Sequence, residues 1–194
     1  MLVAFSGFKG SGKDTAAKVL IEEYGFTRIF FAEPILQALK VLNPIVWPDP
    51  DKFGSVVRFK DVLDQFGWDK AKQYTEVRRL GQVFGTEVGR EFFSEDCWLQ
   101  IMDKDYPDLS WENTRYVITD CRFENECQFV RDKGGSITWI YRSGTGSDGH
   151  ASESDVPFNY ASTVLRNDTT IEDLHDSVRL LMKMRGIDSA SNRN

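Results

Sequence analysis

Apolar residues along this 194-residue chain alternate between two rhythms, short unbroken runs and stripes at helical spacing. Leu2, Val3, Ala4 and Phe5 form an unbroken run, the pattern of a strand buried on both faces. Ala16, Ala17, Val19, Leu20 and Ile21 then predict a helix that ends near Gly25, and residues 27–32 a second strand. Ile35, Leu36, Leu39 and Leu42 fall on one side of a helix that begins at Glu33 and Pro34. The pattern lapses over residues 43–59, where Pro44, Pro48, Pro50 and Gly54 read as a long surface insertion, and residues 60–72 are helical in part with an interruption at Gly67. Residues 75–92 predict one continuous helix, with Val77, Leu80, Phe84 and Val88 as its apolar stripe and Arg79, Thr86 and Arg90 opposite.

The same helix carries Gly81, Gly85 and Gly89 at every fourth position, each costing about 1 kcal/mol relative to Ala. Either a neighbouring helix packs closely there or a ligand approaches. Ser94 caps a helix running to Asp105. Residues 115–120 give a third strand ending in a carboxylate, 123–133 a helix stopped by Gly134 and Gly135, and 136–141 a fourth strand. A glycine-rich irregular stretch follows, then a short fifth strand over 161–165, a turn at Asn167 and Asp168, and a closing amphipathic helix over 171–184. Strands alternating with helices and not joined by tight hairpins predict an α/β fold, a five-stranded parallel sheet with helices on both faces. Ligands bind such sheets beyond the carboxyl ends of the strands, which brings residues 7–15, Ala32, Asp120 and Arg142 to one rim. Residues 1–188 read as a single domain, with 43–74 inserted, 143–155 lid-like or an ordinary surface loop, and 189–194 as a disordered tail.

Chemistry concentrates first in residues 7–15, GFKGSGKDT, between the first strand and first helix. This is the G-x-x-x-x-G-K spacing of a phosphate-binding P-loop, and it places the chain among P-loop NTPase folds. Gly7, Gly10 and Gly12 let the backbone turn its N–H groups inward, Lys13 supplies a cation, and the following helix adds the positive end of its dipole. Asp14 stands where a Ser or Thr usually meets magnesium, and the hydroxyl comes one place later, at Thr15. Asp120 suits a magnesium-ordering carboxylate or is a solvated strand-end Asp; Arg122 neutralises phosphoryl oxygens or pairs with a carboxylate such as Glu124.

Bulk composition narrows the partners. A formal charge of −6 argues against a general nucleic-acid surface, so anionic substrates need focused Lys and Arg. Cys97, Cys121 and Cys127 form no C-x-x-C pair, which fits a reducing, cytoplasmic setting without a disulfide framework or zinc site. No apolar run approaches the ~20 residues needed to span a bilayer, and no export or anchoring signal is visible.

The stretches GFKGSGKDTAA, FFAEPI, RRLGQVFGTEVGRE, TDCRFENE, HASE and RNDT together resemble the phage-type deoxynucleoside monophosphate kinases, a branch of the P-loop kinases. The resemblance covers residues 7–168 except the proline-rich insertion, and Cys121 stands where that family's motif has Val. It implies a nucleoside monophosphate kinase-like fold and transfer of the ATP γ-phosphoryl to a dNMP with Mg2+. By position, Gly10, Ser11, Gly12, Lys13, Asp14 and Thr15 would hold the donor phosphates, with Asp14, Thr15 and Asp120 at the metal. Lys13, Asp120, Arg122 and Arg142 would act on the phosphoryl group. Arg79, Thr86 and Arg90 would serve the acceptor, Ala32 and Pro34 would border its nucleoside, and Asn167 would meet the donor adenine. The partners implied are ATP and a dNMP, without nucleic acid or membrane. A homodimer is compatible, and a viral origin would put the protein in a host cytoplasm.

No catalytic base is needed. The second pKa of a phosphate monoester is about 6, so the attacking oxygen is largely anionic at neutral pH. His150 and His175 are bystanders. Two other readings keep the P-loop: a kinase of another small phosphate or alcohol, as in the dephospho-coenzyme-A or phosphomevalonate kinases, and a nucleotide-binding module without turnover. No N-K-x-D guanine motif supports the latter.

Overall fold

The computed structural model describes residues 1–46, 57–110, 113–146 and 158–189. The proline-rich centre of the insertion, the lid-like stretch beyond Gly146, His150 and the tail beyond Ser189 lie outside the described residues. The chain divides into two compact units, Met1–Phe31 with Asp103–Asn194, and Ala32–Met102.

The first unit is built on a five-stranded parallel sheet. Strands β1 (Leu2–Ser6), β2 (Thr27–Ile29), β5 (Tyr116–Ile118), β6 (Ser136–Tyr141) and β7 (Thr163–Arg166) lie in the order β2-β5-β1-β6-β7. Central β1 pairs with β5 and β6, and all five of its residues are buried, as its unbroken apolar run requires. Val3 and Phe5 face helices α1 (Lys13–Tyr24) and α7 (Ile171–Met184), where Leu20, Leu174, Val178 and Met182 complete a core. On the other face lies α6 (Glu124–Asp132), against β1 and β6. Helices therefore cover both faces.

Strands β2 and β5 are shorter than the sequence pattern, and β7 spans Thr163–Arg166 rather than 161–165. β2 stops at Ile29 rather than residue 32, because the Phe31 N–H leaves the ladder and donates to the Asp120 carboxylate at 3.0 Å. β5 ends at Ile118, which frees Asp120 from sheet pairing.

The second unit holds α2 (Glu33–Leu42), α3 (Phe59–Ala71), α4 (Thr75–Val83) and the start of α5 (Cys97–Asp105). Gly67 breaks α3 with φ 68° and ψ 165°, as its sequence predicts. Two features differ from expectation. The flanks of the insertion pair as a small antiparallel ribbon, β3 (Ile45–Val46) with β4 (Val57–Arg58). The continuous helix over 75–92 instead changes at Phe84 to a π-helix, Phe84–Phe93, whose i to i+5 bonding continues in the Ser94 N–H to Gly89 carbonyl bond of 3.0 Å. The glycines explain part of this change. A Cβ on Gly89 would lie 2.3 Å from the Trp98 ring, and Trp98 Nε1 donates to the Gly85 carbonyl at 2.8 Å. A Cβ on Gly85 would lie 3.0 Å from Ile35, so Gly85 and Gly89 are packing glycines, while Gly81 would meet Trp68 only at 3.7 Å. Among the described residues no helix is long and apolar enough to cross a membrane.

Candidate active site

The loop after β1 is shaped by close backbone approach. Gly7 has φ 137°, and a Cβ there would sit 2.4 Å from the Ile140 carbonyl oxygen of β6. Gly12 has φ 105°, and a Cβ there would sit 2.4 Å from Asn167 Nδ2. Gly12 is also the N-cap of α1 and supplies no side-chain cap, and the first turn of α1 opens at the loop. Lys13 is half-buried rather than exposed, and its ammonium donates to the carbonyls of Gly7 at 2.6 Å and Phe8 at 2.8 Å. The lysine lies folded over its own loop. Ser11 is fully buried, and Thr15, in the first turn of α1, is half-buried. The carboxylate of Asp14 is exposed and paired at 2.7 Å with Arg28 of β2.

Asp120, Cys121 and Arg122 follow β5, the neighbour of β1, and are fastened from three directions. Ser6 Oγ, at the end of β1, donates to the Cys121 carbonyl at 2.9 Å. Asp120 Oδ1 accepts from Phe31. The Arg122 and Phe123 N–H groups donate to Glu126 Oε2 at 2.7 and 3.1 Å. Glu126 is only 3% exposed, a buried carboxylate satisfied by backbone donors. It was legible only as a capping signal, an acid three residues into a helix. Cys121 and Cys127 are buried with sulfurs 3.4 Å apart; the Cys127 contact and burial push the Cys121 thiol up, which leaves it unreactive.

The two strands on the other side of β1 deliver Arg142 and Asn167. Arg142 follows β6, and its Nη1 stands 3.4 Å from the Gly10 carbonyl. Asn167 follows β7, and its side-chain amide donates to the Ser11 carbonyl at 2.8 Å. Of the residues expected on one rim, the loop, Asp120 and Arg142 follow the carboxyl ends of β1, β5 and β6, while Ala32 opens the second unit. Among the described residues there is no group of three or more His, Cys, Asp or Glu able to hold a metal.

The second unit carries the remaining expected residues. Arg79 lies on α4 and is exposed, its Nε and Nη2 each 2.7 Å from a Glu76 carboxylate oxygen. That pairing holds the Glu76 carboxyl below its usual range. Thr86 and Arg90 lie on the π-helix, both half-buried, with Arg90 Nη1 3.2 Å from the Glu95 carbonyl. Ala32 is the N-cap of α2, and Pro34 lies in its first turn, where a missing N–H costs nothing.

A family model described as deoxynucleotide monophosphate kinase matches residues 50–178. A protein of Acanthamoeba polyphaga mimivirus assigned as a deoxynucleotide monophosphate kinase is 30% identical, covering 100% of each chain. The deoxynucleoside-5'-monophosphate kinase of Escherichia phage T5 is 26% identical over 86% of this chain and 89% of its own. Among solved structures, the dephospho-CoA kinase of Campylobacter jejuni aligns over 95% of this chain and 96% of its own with a TM-score of 0.51 at 16% identity, a likeness of fold alone. The chain belongs to the deoxynucleotide monophosphate kinase family.

Proposed function

We propose that this chain transfers the γ-phosphoryl group of ATP to the phosphate of a deoxynucleoside monophosphate, giving ADP and a dNDP. The observation that carries this reading is the phosphate loop on β1, with Asp120 and Arg142 at the ends of the two flanking strands. The N-terminal end of α1, with its positive dipole end at the loop, suits the donor phosphates. Lys13 already spends its donors on loop carbonyls and would exchange them for phosphate oxygens. Gly10, Ser11, Asp14 and Thr15 complete the cradle, Asp14 through its pair with Arg28.

Magnesium fits this site. Thr15 offers a hydroxyl and Asp120 a carboxylate, and the ion keeps most of its waters and takes one or two protein oxygens. When bound it would neutralise charge on the donor phosphates. Arg122 and Arg142 would balance charge on the phosphoryl group in flight, and Arg79, Thr86 and Arg90 would hold the acceptor, with Ala32 and Pro34 beside its nucleoside. Catalysis is then alignment and charge neutralisation, with the acceptor monoester as its own nucleophile. The phage and giant-virus relatives support a place in the cytoplasm of an infected cell.

A coupled assay of ADP release tests this across the common dNMPs and NMPs, dephospho-coenzyme A, phosphomevalonate and no acceptor. Release that depends on a dNMP is expected. Release driven by another acceptor, or independent of any, would overturn the proposal.

A further inference from the structure

We infer that Asn167 and Asp168, the two consecutive residues that follow β7, are positioning residues that hold the phosphate loop and Arg142 in one frame. The inference rests on the reading of the loop as the donor site. Asn167 acts on the loop. Its backbone N–H donates to the Tyr141 carbonyl at 2.8 Å, which carries the β6–β7 ladder one residue further. Its side-chain amide reaches Ser11, and Nδ2 fills the space that a Cβ on Gly12 would take. The loop residue it grips is fully buried.

Asp168 acts on Arg142. Its Oδ1 accepts from the Ser143 N–H at 2.6 Å, fixing the peptide immediately after Arg142. The Ser143 backbone and side chain hold the Asp168 carboxyl below its usual range, and the charges of Arg166 and Arg142 add to this. A carboxylate beside a site for polyanions is unfavourable unless it serves a cation there, and Arg142, reaching the Gly10 carbonyl, is that cation. The turn itself has little freedom. β7 fixes one end, and Thr170 and Asp173 close the other with reciprocal bonds of 3.1 Å at the start of α7. One side chain therefore sets the loop and the next sets the arginine, both from one rigid turn.

The experiment measures the ATP Kd by equilibrium binding, in parallel with kcat and Tm, for Asn167→Asp, Asp168→Ala, Asp168→Asn, Arg142→Ala and the Asp168→Ala/Arg142→Ala double variant. Asn167→Asp keeps the shape but sets an acceptor against the Ser11 carbonyl; it should raise the ATP Kd about tenfold or more, with Tm little changed. Asp168→Ala should weaken ATP binding and lower kcat about tenfold in the wild-type background, but by less than about twofold once Arg142 is Ala, since misplacement of a charge is lost when the charge is gone. Asp168→Asn, which can still accept from Ser143, should recover much of that loss. Equal losses from Asp168→Ala in both backgrounds would overturn the inference, as would an unchanged ATP Kd in folded Asn167→Asp. Should Asn167→Asp fail to fold, the Asp168 cycle decides alone. Should wild type bind ATP but phosphorylate no dNMP, the proposed activity fails while the Kd comparisons still decide the brace.

Discussion

The rim of the parallel sheet and the helical segment over residues 75–93 are fastened in different ways. On the rim, the loop and its neighbours are fixed by bonds that join distant parts of the chain: Ser6 to Cys121, Asp120 to Phe31, Asn167 to Ser11. On α4 and the π-helix, Arg79 is held by Glu76 three residues away, and Arg90 reaches the Glu95 carbonyl five residues on. Sheet topology pre-builds the first set, and local helical geometry parks the second. Surface pairs such as Glu76 with Arg79 are worth little, so an anion could compete for the guanidinium. On the proposed function, the rim would be a donor site built in advance and Arg79 and Arg90 would be acceptor arginines released on demand.

Predictions that break or sharpen the contrast run from large to small. Lys13→Ala removes the cation of the pre-built loop and should lower kcat on the order of 10² to 10³ in a folded protein; near wild-type turnover would end the claim for the loop. Arg79→Ala and Arg90→Ala should raise the dNMP KM about tenfold while leaving the ATP Kd within about twofold, as loss of acceptor binding alone requires. Unchanged dNMP kinetics with a lowered Tm would make that helix face structural. Gly89→Ala overpacks against Trp98 and should cost about 1 to 3 kcal/mol, read as a lower Tm.

The smallest effect concerns Glu76→Gln. Arg79 lowers the native Glu76 pKa, so the pair stabilises the fold above the ordinary Glu range and loses that contribution as pH falls through the lowered native value. The Tm gap between wild type and Glu76→Gln should shrink on acidification, and the variant's dNMP KM should fall slightly at neutral pH. A gap that widens toward acid would contradict the parked-arginine account.

What was legible in the sequence was local or periodic. The run from Leu2 to Phe5, the glycines and Lys13 of the loop, and the carboxylate after β5 are each written in adjacent residues, and parallel topology then brings them to one rim. The π-helix was not legible, because its stripe of Val77, Leu80, Phe84 and Val88 fits an α-helical period. The close approach of Ile35 to Gly85 and of Trp98 to Gly89 accounts for those two glycines. The role of Asn167 escaped for a similar reason: its partner Ser11 lies 156 residues earlier, and no spacing rule connects them. Glu126 escaped too, since its burial and its bonds to the backbone after Asp120 come from packing rather than from spacing.

The most direct measurement follows the label from γ-labelled ATP incubated with wild-type protein, magnesium and a single dNMP. The account predicts that the label appears in the matching dNDP and that transfer stops when the dNMP is omitted. Label found only in inorganic phosphate, at a rate indifferent to the dNMP, would contradict it.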